Sequence, residues 1–355
     1  MPVCQPANTA SFSSSAQSPS AAMRSCADSA CAVAAALRAS NRLARPLALE
    51  VGIPFCRRRC HHCMHGPLIK ADAAGVAAYL GRLDQEMALL AQQLSSARKV
   101  HQLHWTGGSP ASLSLDQMSK LIDQLTARFA LASDAHLDFS IDLDPREADL
   151  LMLRHLQALG VNRLNLGVVE LDAEIQLRIG RPQPRSQLEP LIDEAQRLGL
   201  RSLCLDLWLG LPGQTAQQLA TTLAQLIELA PPRLRLIDFR YDPSRFPAQA
   251  SLSAPLDNSS QPLRQAAHAI LEEAGYVAVN QQLYARTGKA LDDALDEHHR
   301  RIDCDRLGIG LGATSQLATI QAVNLAPLDA YTAALDNGLL PIAQEQSQGL
   351  SQEQR

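Results

Sequence analysis

The chain has 355 residues, 46% of them hydrophobic and 19% charged, which is enough for one large α/β barrel or two ordinary domains. Its 32 basic and 36 acidic residues give a net charge of -4, so no global field favours nucleic acid or an anionic membrane. No apolar run reaches the roughly 18 residues that a membrane-spanning helix needs. We therefore expect a soluble protein with no nucleic-acid partner and no membrane partner.

The cysteines are distributed unevenly, because Cys56, Cys60 and Cys63 lie close together in the chain. A disulfide scaffold would spread its cysteines through a small secreted domain. Clustered cysteines in a chain of this size instead favour a reducing, cytoplasmic compartment and a thiolate metal site.

The N-terminal segment, residues 1–36, is rich in alanine and serine and contains one acid, Asp28. It shows no sustained hydrophobic period. This composition predicts a disordered segment.

From residue 47 onward, short β-rich apolar runs alternate with longer segments of helical period. The predicted strands cover residues 47–55, 100–108, 136–144, 161–169, 201–210 and 233–241. The predicted helices cover residues 74–93, 115–129, 147–159, 186–198, 216–229 and 262–274. This alternation predicts an α/β fold with a parallel sheet, either closed as a barrel or open and doubly wound. In both arrangements the chemistry lies at the carboxyl ends of the strands.

The loop after the first predicted strand carries Cys56, Cys60 and Cys63 in the spacing CxxxCxxC. Three thiolates can each ligate one iron of a 4Fe-4S cluster, which leaves the fourth iron without a protein ligand. A zinc ion would need a fourth ligand, and the nearby histidines His61, His62 or His65 could supply one. Zinc is therefore the rival metal, and chance clustering of three cysteines is the remaining alternative.

The cysteine spacing after Ile-Pro-Phe resembles that of radical S-adenosylmethionine (radical SAM) enzymes. The rest of the chain from about residue 36 is similar to the oxygen-independent coproporphyrinogen III oxidase family and to its relative, the haem chaperone. The matching segments are RPLALEVGIPFC, HQLHWTGGSPASLS, DFSIDLDPREADLLMLRHLQALGVNRLNLGV, IQLRIGRPQP, LDLWLGLPGQT and LGIGLGATS.

This resemblance implies a partial (β/α)6 barrel of the TIM type over residues 37–275. Residues 276–355 would be a short, irregular C-terminal extension, truncated relative to the family, in which a further helical domain covers the barrel mouth. The implied cofactors are a 4Fe-4S cluster held by Cys56, Cys60 and Cys63, and S-adenosylmethionine bound at its open iron.

The resemblance also assigns cofactor-binding residues. Gly107, Gly108 and Ser109 match the strand end that meets the methionine amino group, although an isolated Gly-Gly pair would suggest only an ordinary turn. Asp142 matches an acid that faces the cofactor ribose, where a carboxylate can accept hydrogen bonds from hydroxyl groups.

Two further residues are assigned in the same way. Arg181 matches an arginine that meets the cofactor carboxylate. Asp206 interrupts an apolar run, where a bare carboxylate is costly to bury, so it either contacts the cofactor or pairs with Arg181 or Arg201. The resemblance implies no catalytic protein side chain, because the cofactor carries the radical chemistry.

The implied activity is oxidative decarboxylation of propionate side chains in haem biosynthesis by a 5′-deoxyadenosyl radical. The implied partners are a tetrapyrrole substrate or haem, and an electron donor such as a flavodoxin or ferredoxin. The alternative is a haem chaperone or a non-catalytic relative that binds tetrapyrrole without converting it. The cluster loop adds three arginines and three histidines, which could form an anion-binding rim or could simply be solvated; they are Arg57, Arg58, Arg59, His61, His62 and His65.

The chain departs from the family pattern at several positions. Glu50 replaces a tyrosine, Val169 replaces a glutamine that touches the cofactor, and His65 replaces a fourth loop cysteine. Arg240 replaces a small residue near the adenine, where it would either obstruct the cofactor or make a new contact.

Overall fold

The computed structural model describes residues 21–43, 45–64, 68–69, 72–133, 136–254 and 260–347. The strands are β1 (Leu47–Ile53), β2 (Phe55–Cys56), β3 (Leu68–Ile69), β4 (Lys99–Gly107), β5 (Ala130–Leu131), β6 (Asp138–Leu143), β7 (Arg163–Val169), β8 (Ser202–Leu209), β9 (Arg233–Asp238), β10 (Tyr276–Ala278), β11 (Leu283–Arg286), β12 (Asp305–Ile309), β13 (Thr314–Gln316), β14 (Ile320–Asn324) and β15 (Ile342–Ser347). The helices are α1 (Ala21–Ser40), α2 (Ala73–Ala91), α3 (Leu115–Arg128), α4 (Leu150–Ala158), α5 (Ala173–Arg178), α6 (Glu189–Arg197), α7 (Ala216–Glu228), α8 (Gln261–Glu273), α9 (Lys289–Asp303) and α10 (Leu328–Asp336).

The main sheet places β1, β4, β6, β7, β8 and β9 side by side in chain order, each parallel to the next. Sequential order means that the sheet winds in one direction only, which excludes the doubly wound alternative. The strand path runs from β10 to β15, and within the described residues its two ends do not pair. The prediction of a partial β/α barrel is confirmed.

Burial explains why the apolar runs became strands. Every residue of β8 is buried, as expected for a parallel strand covered on both faces. The helices cover the outer face of the sheet with apolar stripes; in α2 the buried stripe includes Val76, Leu80, Leu83 and Met87, the residues that share one helical face.

The N-terminal prediction is corrected over residues 21–36, because they lie in helix α1. Val33 and Leu37 are buried on the face that packs against β14 and β15. The alanine-rich composition concealed this stripe, and the strands that cover it come more than 250 residues later in the chain, so the N-terminal sequence alone does not reveal its partner. Residues 1–20 lie outside the described part of the chain.

Residues 276–347 are regular where the sequence predicted an irregular extension. β12 pairs in parallel with β1, and β13, β14 and β15 continue the sheet as antiparallel strands. Helix α9 crosses the other end of the barrel, where Asp293 forms ion pairs with Arg163 and Arg233 at the starts of β7 and β9. The amino-terminal end of the barrel is thus covered, which leaves the carboxyl ends of the strands as the open end.

No helix in the described ranges is long and apolar enough to span a membrane.

Candidate active site

A cavity of about 440 Å³ lies at the carboxyl ends of the parallel strands. This size is typical of small-molecule sites. Most of the residues that the sequence assigned to cluster and cofactor line it; they are Cys56, Cys60, Cys63, Gly107, Gly108, Asp142, Arg181 and Asp206. Ser109 is buried beside the cavity, and its backbone N–H donates to the carbonyl of Phe55 at 2.8 Å.

The cysteine loop is fixed by backbone contacts to elements that follow much later in the chain. The His61 N–H donates to the Ile179 carbonyl at 2.9 Å, beyond the end of α5. The Arg57 N–H donates to Oε1 of Glu147 at 2.8 Å, just before α4. The cysteines are therefore held in place between the ends of β6 and α5.

Two guanidinium groups meet the thiol of Cys60. Arg146 donates from Nη2 to the sulfur at 3.0 Å, and Arg181 approaches it with Nη1 at 3.5 Å. Donors of this kind are common partners of metal-bound cysteine sulfur. Arg146 also keeps Nη1 buried with no hydrogen-bond partner among the described residues. The donor set therefore suits an anionic group at this point.

The three cysteines line one cavity, and their chemistry suits a cubane cluster. Of the histidines that a zinc site would draw on, His62 packs its ring against Trp208, and His65 lies outside the described residues. A cubane cluster separates its thiolates, since each binds a different iron. Without metal, burial raises the pKa of the Cys56 thiol to about 12, and the nearby carboxylate of Glu147 adds to the shift. Iron would have to displace that proton, as metal binding to cysteine generally does.

The two glycines at the end of β4 are required by packing within the protein. A Cβ atom on Gly107, whose φ is +112°, would lie 2.7 Å from the Ile53 carbonyl oxygen. A Cβ on Gly108 would lie 2.6 Å from the Phe55 oxygen and 2.9 Å from the Cys56 sulfur. Only glycine lets this strand end approach the cysteine loop. The assigned contact with the methionine amino group stays a prediction.

Asp142 is held by donors from two neighbouring strands. Thr106 donates from Oγ1 to Oδ2 at 2.7 Å, and Asn165 donates from Nδ2 to Oδ1 at 2.7 Å. Nε2 of His104 lies 3.2 Å from Oδ2. Burial opposes ionisation, but His104, Arg235 and Asn165 together outweigh it and hold the pKa of Asp142 well below its usual range. The carboxylate is therefore ionised and faces the cavity.

Arg181 is tied to a second carboxylate, Asp144. It donates from Nη1 to Oδ2 at 2.7 Å and from Nη2 to Oδ1 at 3.0 Å. Arg146 binds the same carboxylate, also through its Nε at 3.0 Å. The sequence did not single out Arg146. An arginine two positions after an acid, here Asp144, has the pattern of an ordinary exposed ion pair.

Asp206 pairs with Arg235, which is not one of the two partners considered from the sequence. Arg235 donates from Nε to Oδ1 at 2.9 Å, and the two residues are direct neighbours in the register of β8 and β9. Arg201 instead donates to Asp138 at 2.8 Å. Side chains alternate between the two faces of β9, and this alternation places Arg235 inside the barrel. The same alternation in the sequence could have identified Arg235 as an inward-facing residue.

Three of the departures from the family pattern lie in different surroundings. Val169 lines the cavity with a φ of +69°, a left-handed conformation that is costly for a β-branched residue. Arg240 is exposed and does not line the cavity, so it does not obstruct it. Glu50 is farther down the barrel, where it lines a separate small cavity with His104.

The basic rim is smaller than the sequence suggested. Arg58 and Arg59 are exposed and line the cavity. His62 is buried, with its ring 4.7 Å from that of Trp208 in an edge-on contact. Burial lowers the pKa of His62 well below its usual range, so this side chain is neutral and adds no charge to the rim. His65 lies outside the described residues.

Comparison with known proteins agrees with this geometry. The Radical SAM superfamily matches residues 51–226. An oxygen-independent coproporphyrinogen III oxidase of Pseudomonas aeruginosa is 34% identical over 319 residues, which cover 86% of this chain and 69% of the relative. A protein of the same name from Escherichia coli K12 is 35% identical over 304 residues, covering 82% of this chain and 66% of the relative. The chain thus spans about two thirds of the length of these relatives.

A solved structure has the same fold. Coproporphyrinogen III oxidase from Escherichia coli, reported as a radical SAM enzyme, matches with a TM-score of 0.81 at 30% identity. The match covers 90% of this chain and 75% of that chain.

Proposed function

We propose that this chain, which belongs to the oxygen-independent coproporphyrinogen III oxidase family of the radical SAM superfamily, acts in haem biosynthesis by oxidatively decarboxylating propionate side chains of coproporphyrinogen III. The observation that carries the proposal is the single cavity in which the cysteine trio, the glycine strand end, Asp142, Arg181 and Asp206 converge.

The cofactors are those of the superfamily, a 4Fe-4S cluster and S-adenosylmethionine. When bound, they supply the radical that removes a hydrogen atom from a propionate arm, after which loss of carbon dioxide and one electron leaves a vinyl group. The protein contributes binding, orientation and exclusion of water.

In this proposal Cys56, Cys60 and Cys63 hold the cluster, and Arg146 donates to the Cys60 sulfur from the cavity wall. Arg181, already oriented by Asp144, would receive the cofactor carboxylate. Asp142 and Asp206 face the same cavity from β6 and β8 and would accept hydrogen bonds from the ribose. Gly107, Gly108 and Ser109 would meet the methionine amino group.

The substrate side of the proposal depends on charge at the cavity mouth. Arg58 and Arg59 are exposed there, and guanidinium groups bind carboxylates in a planar, two-point geometry. A tetrapyrrole with propionate arms would suit this rim. An electron donor such as a flavodoxin or ferredoxin and a cytoplasmic location belong to the same proposal, because the reaction needs low-potential electrons and reduced thiols.

The experiment is anaerobic reconstitution of the full chain with iron and sulfide, followed by reduction and incubation with S-adenosylmethionine and coproporphyrinogen III. We expect 5′-deoxyadenosine and products lighter by one carbon dioxide and two hydrogen atoms for each propionate arm that is converted. Cys60→Ser should lose the cluster and both products, whereas Cys31→Ser, which changes an exposed cysteine of α1, should keep them.

Two results would contradict the proposal. If the protein is colourless and the same thiols bind zinc, the assignment of a 4Fe-4S cluster is contradicted. Cluster-loaded protein that binds haem but cleaves no S-adenosylmethionine would favour the haem chaperone alternative.

A further inference from the structure

The floor of the cavity is formed by Arg235, which stands between two carboxylates. Its guanidinium donates to both oxygens of Asp206, with Nε 2.9 Å from Oδ1, and its Nη2 lies 3.6 Å from Oδ1 of Asp142. Arg235 lines the upper cavity and also a deeper polar cavity of about 350 Å³. It therefore separates the assigned cofactor site from the interior of the barrel.

The strand register explains how one side chain serves two acids. Arg235 and Asp206 are neighbours across β9 and β8, while Asp142 lies two strands farther along the same inner face. Asn165 on the intervening strand β7 donates to the Asp142 oxygen that Arg235 approaches. The two acids thus belong to one hydrogen-bonded layer across four strands.

The two carboxylates share this cation, and Asp206 is the more deeply buried of the two. The side chain of Asp206 is only 9% exposed and that of Asp142 is 31% exposed, and the charge of Asp142 raises the pKa of Asp206. Burial also raises the pKa of Asp206, and the Arg235 charge opposes both effects. Like charges that share a site force one acid to take up a proton unless a cation lies between them.

We propose that Arg235 is a positioning residue for S-adenosylmethionine, which keeps Asp142 and Asp206 ionised together and fixes their oxygens toward the cavity. The inference rests on the proposed function, because it assumes that the two carboxylates receive the cofactor ribose. It assigns the cofactor contact to a triad in which two acids share one cation, in place of two independent acids.

Other titratable groups surround the triad and limit how a pH effect is interpreted. His104 faces Asp142 from β4, and Cys204, which precedes Asp206 on β8, stays a neutral thiol because burial raises its pKa far above the usual value. Charges deeper in the barrel also act on these groups; they are Glu50, Arg233, Glu297 and Arg301. All of them are unchanged in a variant at position 235, so a comparison between variants isolates the arginine.

The test measures the affinity of cluster-loaded, full-length protein for S-adenosylmethionine by anaerobic calorimetry between pH 6.5 and 9. Arg235→Met keeps the aliphatic stem and removes the charge. We expect its affinity to fall about tenfold at pH 7 and to recover partly toward pH 9, as the protonated acid ionises again. Arg235→Lys keeps the charge and should retain the wild-type pH profile.

The double variant Arg235→Met with Asp206→Asn supplies the decisive control. It removes one of the two competing acids, so the added pH dependence of Arg235→Met should disappear. Thermal unfolding of each variant without cofactor identifies any loss of fold. If Arg235→Met does not fold, Arg235→Lys still tests the proposal, because its pH profile should match that of the wild type.

Three outcomes would overturn the inference. Wild-type affinity and pH profile in Arg235→Met would mean that the arginine has no effect on the acids. An equal, pH-independent loss in Arg235→Met and Arg235→Lys would assign it to packing alone. Wild-type protein that carries its cluster but binds no S-adenosylmethionine would overturn the proposed function and this inference with it.

Discussion

Arg181 donates from both of its terminal nitrogens to the carboxylate of Asp144, and also to the carbonyl oxygen of Gly167. Its guanidinium is therefore oriented before a ligand binds. The side chain is buried, with only 6% exposed. A pre-oriented guanidinium loses little entropy on binding a carboxylate.

Arg181→Met should therefore weaken S-adenosylmethionine binding by roughly tenfold or more, since one charge-assisted contact is lost. Isothermal titration of the cluster-loaded protein measures this. Arg178→Met is the matched control: Arg178 lies three residues earlier and, within the described residues, pairs with exposed Glu174, a surface contact of little energetic value. Equal affinity in both variants would contradict the assignment of Arg181.

Arg146 should tune the reduction potential of the cluster. Hydrogen bonds and positive charge at cluster thiolates stabilise the reduced cluster, which carries one more negative charge, and so raise the reduction potential. Arg146→Met removes the donor to Cys60 and should shift the potential to more negative values, as measured by a redox titration followed by electron paramagnetic resonance. Arg58→Met, which changes an exposed cavity residue, should leave the potential near that of the wild type. A positive shift in Arg146→Met would be incompatible with this role.

Position 169 offers a gain-of-binding test. Val169 lines the cavity in a strained backbone conformation, and the resembling family has glutamine there. Val169→Gln relieves the β-branched strain and adds an amide to the cavity wall, so we expect S-adenosylmethionine to bind several-fold more tightly. Val169→Ala shortens the side chain without adding an amide and is the control. If the glutamine variant binds no more tightly than the alanine variant, the amide contact is refuted.

Glu86 should make stability depend on pH. This acid is buried between α2 and the C-terminal strands, where Tyr331, Asn324 and the Gly310 N–H all donate to it. Burial raises its pKa to about 7, although those donors oppose the shift. Because the folded pKa is above the unfolded value, its stabilising contribution is complete below about pH 4 and is lost as pH rises through about 7.

Glu86→Gln mimics the protonated acid and should remove this dependence, a difference of roughly 3 kcal/mol at most between pH 5 and pH 8.5. Denaturant unfolding across that pH range measures it. Glu273→Gln, at an exposed position of α8, should follow the wild-type curve. Parallel curves for the wild type and Glu86→Gln would show that Glu86 is already ionised throughout.

Much of the barrel could be predicted from the sequence, because each strand and each helix carries its own local period. The continuous apolar run of β8 and the stripe of α2 are examples, and both are read from neighbouring residues alone. The cysteine loop was equally local. These features need no knowledge of what packs against them.

The parts that sequence reasoning missed depend on distant partners. Helix α1 buries its stripe on strands at the far end of the chain, and the pairing of Asp206 with Arg235 follows from strand register. Arg146 becomes informative only when Cys60, far away in sequence, lies beside it. Local patterns do not determine contacts of this kind.

The position of β1 between β4 and β12 has a consequence for biogenesis. The cysteine loop follows β1 directly, yet residues 305–309 have to leave the ribosome before that strand gains its second neighbour. Until then an unpaired strand edge lies next to three thiols, a surface prone to mispairing with other chains. Strand β1, which leads into the cysteine loop, thus gains its second neighbour late. In nascent chains that stop short of residue 305, one edge of β1 stays unpaired.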